Sequence, residues 1–326
     1  MSNFTIDALN KGDILLFKGN KKQAISYAIM LFTNSDVSHA ALYLGDRFMA
    51  EEGLSGLGKQ EIQESPKGDY VYANRLSDKS LVMDPVVKAA EGYLEAGQPY
   101  SKSSLVMLAM IILYKKFSPP SATKRIVTRI FVRAAEKIVD MINKRKYPGK
   151  TPMICSQFVY QCYQDCGKPY SLKINNGTVL NARLADLRQS DAQTGDKSQD
   201  STTILDRAIE SYANGQVVVN NTFSASDDLN DVSDEILAQK LIESLDEPEK
   251  IPLTVQLETI DQELDSATIE LCKAMAQYHT PDTSKTENAL LFARDHASHF
   301  VTPADLKNSC TNVSTAGVVN VIRKNS

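Results

Sequence analysis

Two short segments, more than a hundred residues apart, constrain this chain more than any other feature. The first, Ser38–Gly45, has the composition of a strand and carries His39. The second, Met153–Tyr160, reads as the start of a helix and carries Cys155 in its first turn. A thiol at a helix N-terminus feels the positive end of the helix dipole, which favours the thiolate. A thiolate with an imidazole base is the chemistry of a thiol hydrolase or an acyltransferase.

Both residues also have a simpler structural interpretation. A cysteine or a histidine on an apolar face is more often a core residue than a catalytic one. Cys162 and Cys166 follow Cys155 at helical spacing on an apolar face, and we assign them to the core. The chain has four histidines, of which only His39 belongs to the compact N-terminal part. If Cys155 has an imidazole base in that part, the base is therefore His39.

The other three histidines lie in acidic segments near the C-terminus, at positions 279, 296 and 299. His296 and His299 have a helical spacing that suits a metal, but no third ligand lies nearby in the sequence. We therefore expect a solvated surface there, and we predict neither a metal nor a cofactor.

A thiolate–imidazolium pair needs a third group that fixes the imidazole ring. Glu51 and Glu52 lie on the next predicted strand, at a depth that would let one of them face His39 across a hairpin. A two-residue turn would pair His39 with Glu52, and one extra loop residue would pair it with Glu51. The residues alone leave both candidates open.

Apolar and alternating runs predict a small antiparallel sheet with flanking helices. The predicted strands are Gly12–Phe17, His39–Leu44, Arg47–Glu51 and Tyr70–Asn74. The turn Gly45-Asp46 would join the second and third strands as a tight hairpin. Helical spacing predicts helices over Gln23–Phe32 and Asp84–Ala96. The N-terminal part is therefore predicted to be an α+β module.

Residues 102–150 predict a helical hairpin inserted in this module. Leu105–Tyr114 is almost entirely apolar, prolines interrupt it, and Thr123–Lys146 follows as a long helix with one apolar face. The segment has 12 basic residues against two acidic ones, a net charge of +10. Because a basic amphipathic helix is attracted to anionic membranes, we predict a lipid-binding surface here. The predicted lipid-binding residues are Leu105, Ile111, Arg125, Arg129 and Arg133. The alternative is a helical cap packed on the core with its basic face in water.

Charge divides the chain into two parts. Residues 1–190 hold 26 Lys and Arg against 17 Asp and Glu, whereas residues 191–326 hold 10 against 23. We expect 1–190 to form the catalytic core with its insert, 191–299 an acidic and mainly helical extension, and 300–326 a segment that returns to the core. The polar stretch 191–202 is the predicted linker. The acidic helices are candidates for docking a protein partner, and no nucleic-acid partner is expected.

Several motifs taken together resemble a known family. They are Gly12–Phe17, Ser38–Gly45, a glutamate twelve residues after the histidine, Met153–Tyr160 and the late segment Phe300–Leu306. In this order they resemble the circularly permuted papain-like branch of the NlpC/P60 superfamily, the YiiX/YebB-like group, which is related to lecithin:retinol acyltransferase. The resemblance implies a permuted papain-like fold and a Cys-His-Glu triad of Cys155, His39 and Glu51, with Glu52 as the alternative. It covers about 1–101, 148–190 and 300–310.

The resemblance implies attack on an amide, ester or thioester, and it allows both peptide hydrolysis and acyl transfer on lipids. The basic hairpin and the lack of a visible secretory signal favour an acyl or lipid-linked substrate over a cell-wall peptide. Five cysteines without paired spacing suggest a reducing compartment, so we expect a cytoplasmic protein, with peripheral attachment to a membrane left open. Two alternatives remain: an amidase or endopeptidase acting on a peptide, and a catalytically silent module that binds lipid or protein.

Overall fold

The computed structural model describes residues 4–53, 56–65, 68–96, 104–143, 154–175, 202–217, 229, 231–245, 254–279, 285–297 and 299–321. Its centre is a six-stranded, fully antiparallel sheet with the strand order β4-β3-β2-β1-β5-β6. The strands are β1 (Ile14–Lys18), β2 (Val37–Gly45), β3 (Phe48–Gly53), β4 (Gly56–Glu61), β5 (Tyr70–Leu76) and β6 (Val313–Asn320). The predicted α+β class is confirmed.

Ten helices lie within the described residues. They are α1 (Ala24–Thr33), α2 (Asp84–Glu95), α3 (Ser104–Tyr114), α4 (Ser121–Asn143), α5 (Cys155–Asp165), α6 (Ile204–Ala213), α7 (Asp234–Ser244), α8 (Thr254–His279), α9 (Thr286–Ala297) and α10 (Pro303–Asn308). The predicted strands, the two predicted N-terminal helices and the helical hairpin all have observed counterparts. The strands β4 and β6 were not predicted. None of the helices in the described ranges is both long and apolar enough to cross a membrane.

The helical hairpin α3–α4 lies in the core and not on a lipid-facing surface. Leu105 and Ile111 are 0% exposed, and every residue from Leu105 to Tyr114 is buried. Helix α3 packs against α1, α4 and α6, which cover its apolar sides. The prediction that Leu105 and Ile111 bind lipid is therefore wrong, because both side chains are already in contact with protein.

The basic face of α4 is largely covered by the acidic helices of the same chain. Lys124 is 2.6 Å from Asp261 of α8, and Lys137 is 3.0 Å from Asp234 of α7. Arg133 reaches the same Asp234 at 3.5 Å. Of the three arginines predicted to bind lipid, Arg125 is exposed, whereas Arg129 and Arg133 are half-buried. The hairpin is therefore better described as a helical cap packed on the core. The basic face of this cap was expected to lie in water, and it lies instead against acidic helices.

Buried apolar side chains from both parts of the chain form one cluster. It joins Leu42 of β2, Ile111 of α3, Leu237 of α7 and Leu271 of α8. The hydrophobic core therefore continues from the sheet through the hairpin into the acidic helices. Most of the predicted linker 191–202 lies outside the described residues.

Candidate functional site

Cys155 is the first residue of α5, as its sequence context predicts. Ile154 before it is extended and provides no side-chain cap, and the first helical hydrogen bond runs from the Phe158 amide to the Ile154 carbonyl at 2.9 Å. The amide groups of the first turn have no partner within the helix, so they face outward at the end that carries the thiol. The thiol is free and only 3% exposed. The sulfur therefore lies at the positive end of the α5 dipole.

His39 lies on β2, and its imidazole is held between two acidic groups. The ring is 5% exposed and packs beside Phe17 of β1, with 5.5 Å between the ring centroids. Its Nε2 is 3.0 Å from Oε2 of Glu51, which is itself 1% exposed. Cys155 lies close enough to the same ring for its charge to raise the pKa of the imidazole. The structure therefore brings together the three residues that the sequence selected.

The Glu51 contact crosses the β2–β3 hairpin diagonally. Leu42 pairs with Ala50 and Tyr43 with Met49, and this register continues to place Ala41, not His39, opposite Glu51. His39 then lies two residues further along, a position that a long side chain reaches diagonally. The sequence predicted that a glutamate would lie directly opposite His39, and this prediction was wrong, because the Glu51 contact is diagonal. The side chain of Glu52, the other candidate, lies outside the described residues.

Burial and two neighbouring groups set the charge state of His39. Burial lowers the pKa of the imidazole, but the charge and hydrogen bond of Cys155, followed by those of Glu51, raise it to about 9. The other carboxylate oxygen of Glu51, Oε1, is buried without a hydrogen-bond partner in the described part of the chain. Within the described part of the chain, this carboxylate is therefore hydrogen-bonded through Oε2 to His39. An imidazolium stabilised in this way favours proton transfer from the thiol to the ring.

The late segment of the chain is hydrogen-bonded to helix α5. Ser156, next to Cys155, is fully buried, and its Oγ donates a 2.7 Å hydrogen bond to the Val301 carbonyl. Thr302 and Asp305 then form a capping box that starts α10. Lys307 of α10 pairs with Asp36, just before β2, so the same segment contacts both strands and helix around the site.

Cys155 also contacts a residue that sequence reasoning missed. The Sδ of Met107, on α3, lies 3.8 Å from the Sγ of Cys155. Because α3 is apolar on all sides, its sequence gives no periodicity that would single out this methionine. Ser156 was also missed, since its partner Val301 lies 145 residues further along the chain.

The remaining cysteines and histidines fit simpler roles. Cys162 is fully buried on α5, and burial raises the pKa of its thiol well above the ordinary value, as expected of a core cysteine. Cys166, at the end of the same helix, is half-buried, and burial raises the pKa of its thiol as well. The His296 ring stacks on Phe292 at 5.6 Å. Among the described residues, no three His, Cys, Asp or Glu side chains are grouped as metal ligands.

Comparison with known proteins adds no relative to this description. No family model, curated protein or solved structure matches the chain.

Proposed function

We propose that this protein is a thiol-dependent hydrolase or acyltransferase that acts on an amide, an ester or a thioester through Cys155, His39 and Glu51. The observation that carries the proposal is the buried imidazole of His39, which is hydrogen-bonded to Glu51 and electrostatically coupled to Cys155. The histidine on a strand precedes the cysteine on a helix, as in the permuted papain-like arrangement. We propose that arrangement as the fold of the core.

The residues divide the reaction between them. His39 takes the thiol proton of Cys155, and the thiolate attacks the carbonyl carbon, so that an S–C bond forms and the carbonyl oxygen becomes negative. Amide groups in the first turn of α5 are placed to donate hydrogen bonds to that oxygen. When the C–N, C–O or C–S bond breaks, the leaving group takes the proton from His39. Water or another acceptor then releases the acyl group from Cys155, with His39 again accepting a proton.

An acyl substrate suits the surroundings of the thiol. Cys155 belongs to a cluster of buried apolar residues, and on the hairpin side its sulfur contacts the thioether of Met107. An acyl chain is compatible with such surroundings, whereas a peptide backbone would bring amide groups that need hydrogen-bond partners. Because α3 is buried, the hairpin does not favour an acyl substrate in the way that a lipid-binding surface would. A catalytically silent module is the second candidate, and the low exposure of Cys155 favours it.

Alkylation of the five cysteines distinguishes these candidates. The folded protein would be treated with iodoacetamide near pH 7, and the labelled sites would be identified by mass spectrometry. We expect Cys155 to react before Cys162 and Cys272, which are buried cysteines in the same chain and serve as internal controls. His39→Asn should slow the labelling of Cys155 and leave the two controls unchanged. Equal labelling of all three residues, unaltered by His39→Asn, would reject the triad.

A further inference from the structure

The contact between Cys155 and Met107 lies at the atom where an acyl group would be attached. The two sulfur atoms are 3.8 Å apart, a van der Waals distance that leaves no room for a substituent between them. Both residues are buried, with Met107 in the second turn of the hairpin helix α3. Any group bonded to Sγ on this side must take the volume that the thioether occupies.

The backbone of α3 is held firmly by its neighbours. All residues from Leu105 to Tyr114 are buried, and the helix packs between α1, α4 and α6. Tyr114 at its end donates a 3.0 Å hydrogen bond to the Ala293 carbonyl of α9. Moving the helix away from Cys155 would expose this apolar surface to water, which is unfavourable. Rotation of the Met107 side chain costs less free energy, because this side chain is unbranched and flexible.

Proton transfer within the site also weakens the Met107 contact. As a thiol, Cys155 can donate a weak hydrogen bond to the thioether. Once the proton is on His39, the thiolate has no hydrogen to donate. Loss of the thiol proton therefore removes this weak hydrogen bond and leaves only van der Waals contact between the two sulfur atoms.

We propose that Met107 is a specificity-determining residue, whose side-chain volume and flexibility select the acyl groups that Cys155 can carry. This inference rests on the proposed function, because it concerns the acyl group of that reaction. A short or linear acyl group displaces the thioether by rotation of the side chain. A bulky group requires more volume than the fixed α3 backbone leaves.

The test compares a small and a bulky probe of the same thiol. Cys155 would be labelled with iodoacetamide and with N-phenylmaleimide in the wild-type protein, in Met107→Ala and in Met110→Ala. Met110, on the same helix, is also buried and controls for the loss of a methionine from α3. We expect Met107→Ala to raise the ratio of bulky to small labelling by about tenfold or more, and Met110→Ala to leave it unchanged. The ratio of pivaloyl to acetyl p-nitrophenyl ester hydrolysis should change in the same direction, because the pivaloyl group is branched next to its carbonyl.

A second variant covers the possibility that Met107→Ala does not fold. Met107→Leu keeps a similar volume but is branched and stiffer, so both probes should label it more slowly than they label the wild-type protein. An equal ratio in all folded variants, with labelling that still depends on His39, would overturn the role of Met107 and leave the proposed function intact. Labelling that does not depend on His39 would instead overturn the proposed function.

Discussion

His39 carries the strongest electrostatic coupling recorded in the site. Its pKa is about 9 in the folded protein against an ordinary value of 6.5, because the charges of Cys155 and Glu51 outweigh burial. Below pH 6.5 the imidazole is protonated in both states, and its interactions contribute fully to stability. Between these two values the folded state retains a proton that the unfolded state loses, so stability falls as pH rises.

The first prediction follows from this difference in pKa. The free energy of unfolding of the wild-type protein, relative to that of His39→Asn, should fall between about pH 6.5 and 9, by at most about 3 kcal/mol. Urea unfolding at several pH values measures it, and groups that titrate equally in both proteins cancel. Cys155→Ala should show only part of this pH dependence, since Glu51 remains beside the ring. A proton that moves from Cys155 to His39 leaves the number of bound protons unchanged, so the Cys155→Ala background tests His39 without that exchange. A difference that stays constant with pH in that background as well would show that His39 is not held as an imidazolium.

At this scale the sequence predicted the residues that we propose to carry chemistry and missed those that contact them from distant segments. Cys155 and His39 were found because few residue types form a thiolate–imidazolium pair, and their settings on a helix and a strand are local properties. Glu51 required the family resemblance, since the hairpin register was open. Met107 and Ser156 act through contacts with distant segments, and no local pattern marks such contacts.

Helix α5 is tied to the late segment by the hydrogen bond from Ser156 to the Val301 carbonyl, 2.7 Å long and buried. We predict that Ser156→Ala lowers the free energy of unfolding by about 1–3 kcal/mol, because it leaves the carbonyl without its partner. Ser80→Ala is the matched control, since Ser80 is exposed and bonds to Asp78 in a surface turn. Its effect should stay within about 0.5 kcal/mol. Equal losses in the two variants would contradict a special role for the Ser156 bond.

The contact between α4 and α7 converges on Asp234, which pairs with Arg133 and Lys137. We expect Asp234→Asn to destabilise the protein by about 1 kcal/mol, and by less at high salt, because these half-exposed charges are partly screened. A double-mutant cycle with Lys137→Gln isolates one of the two pairs. Asp231→Asn is the control, since Asp231 is exposed and has no ion pair in the described part of the chain. A loss that salt does not change would argue for packing instead of charge.

Among the strands, those with a strong apolar pattern were predicted and those without one were missed. Strand β1 is an uninterrupted apolar run, and β2 carries its apolar residues between two turns. Strand β4 has two glycines and only one apolar side chain, Leu57, so its pairing with β3 is not visible in its composition. Strand β6 contains Gly317, which lies against the side chain of Phe4. Both are edge strands, and pairing with the neighbouring strand stabilises them more than the intrinsic β-propensity of their own residues does.

The charge asymmetry of the chain has its explanation at the scale of the whole molecule. The basic hairpin and the acidic helices form ion pairs with each other, and one apolar cluster continues beneath them into the sheet. The opposite charges therefore orient the two parts against each other. The sequence showed the asymmetry, but composition does not reveal whether a basic face meets a membrane, a partner or another part of the same chain.

A continuous core predicts that the two parts unfold together. Cys162 on α5 and Cys272 on α8 are both fully buried, so each can react with a thiol reagent only after its surroundings open. In a series of urea concentrations, pulse labelling of these two native cysteines should follow the same curve, because one cooperative transition exposes both. The wild-type protein needs no added probe, and peptide mapping assigns each label. Labelling of Cys272 at lower urea than Cys162 would show instead that the acidic helices unfold as a separate unit from the sheet.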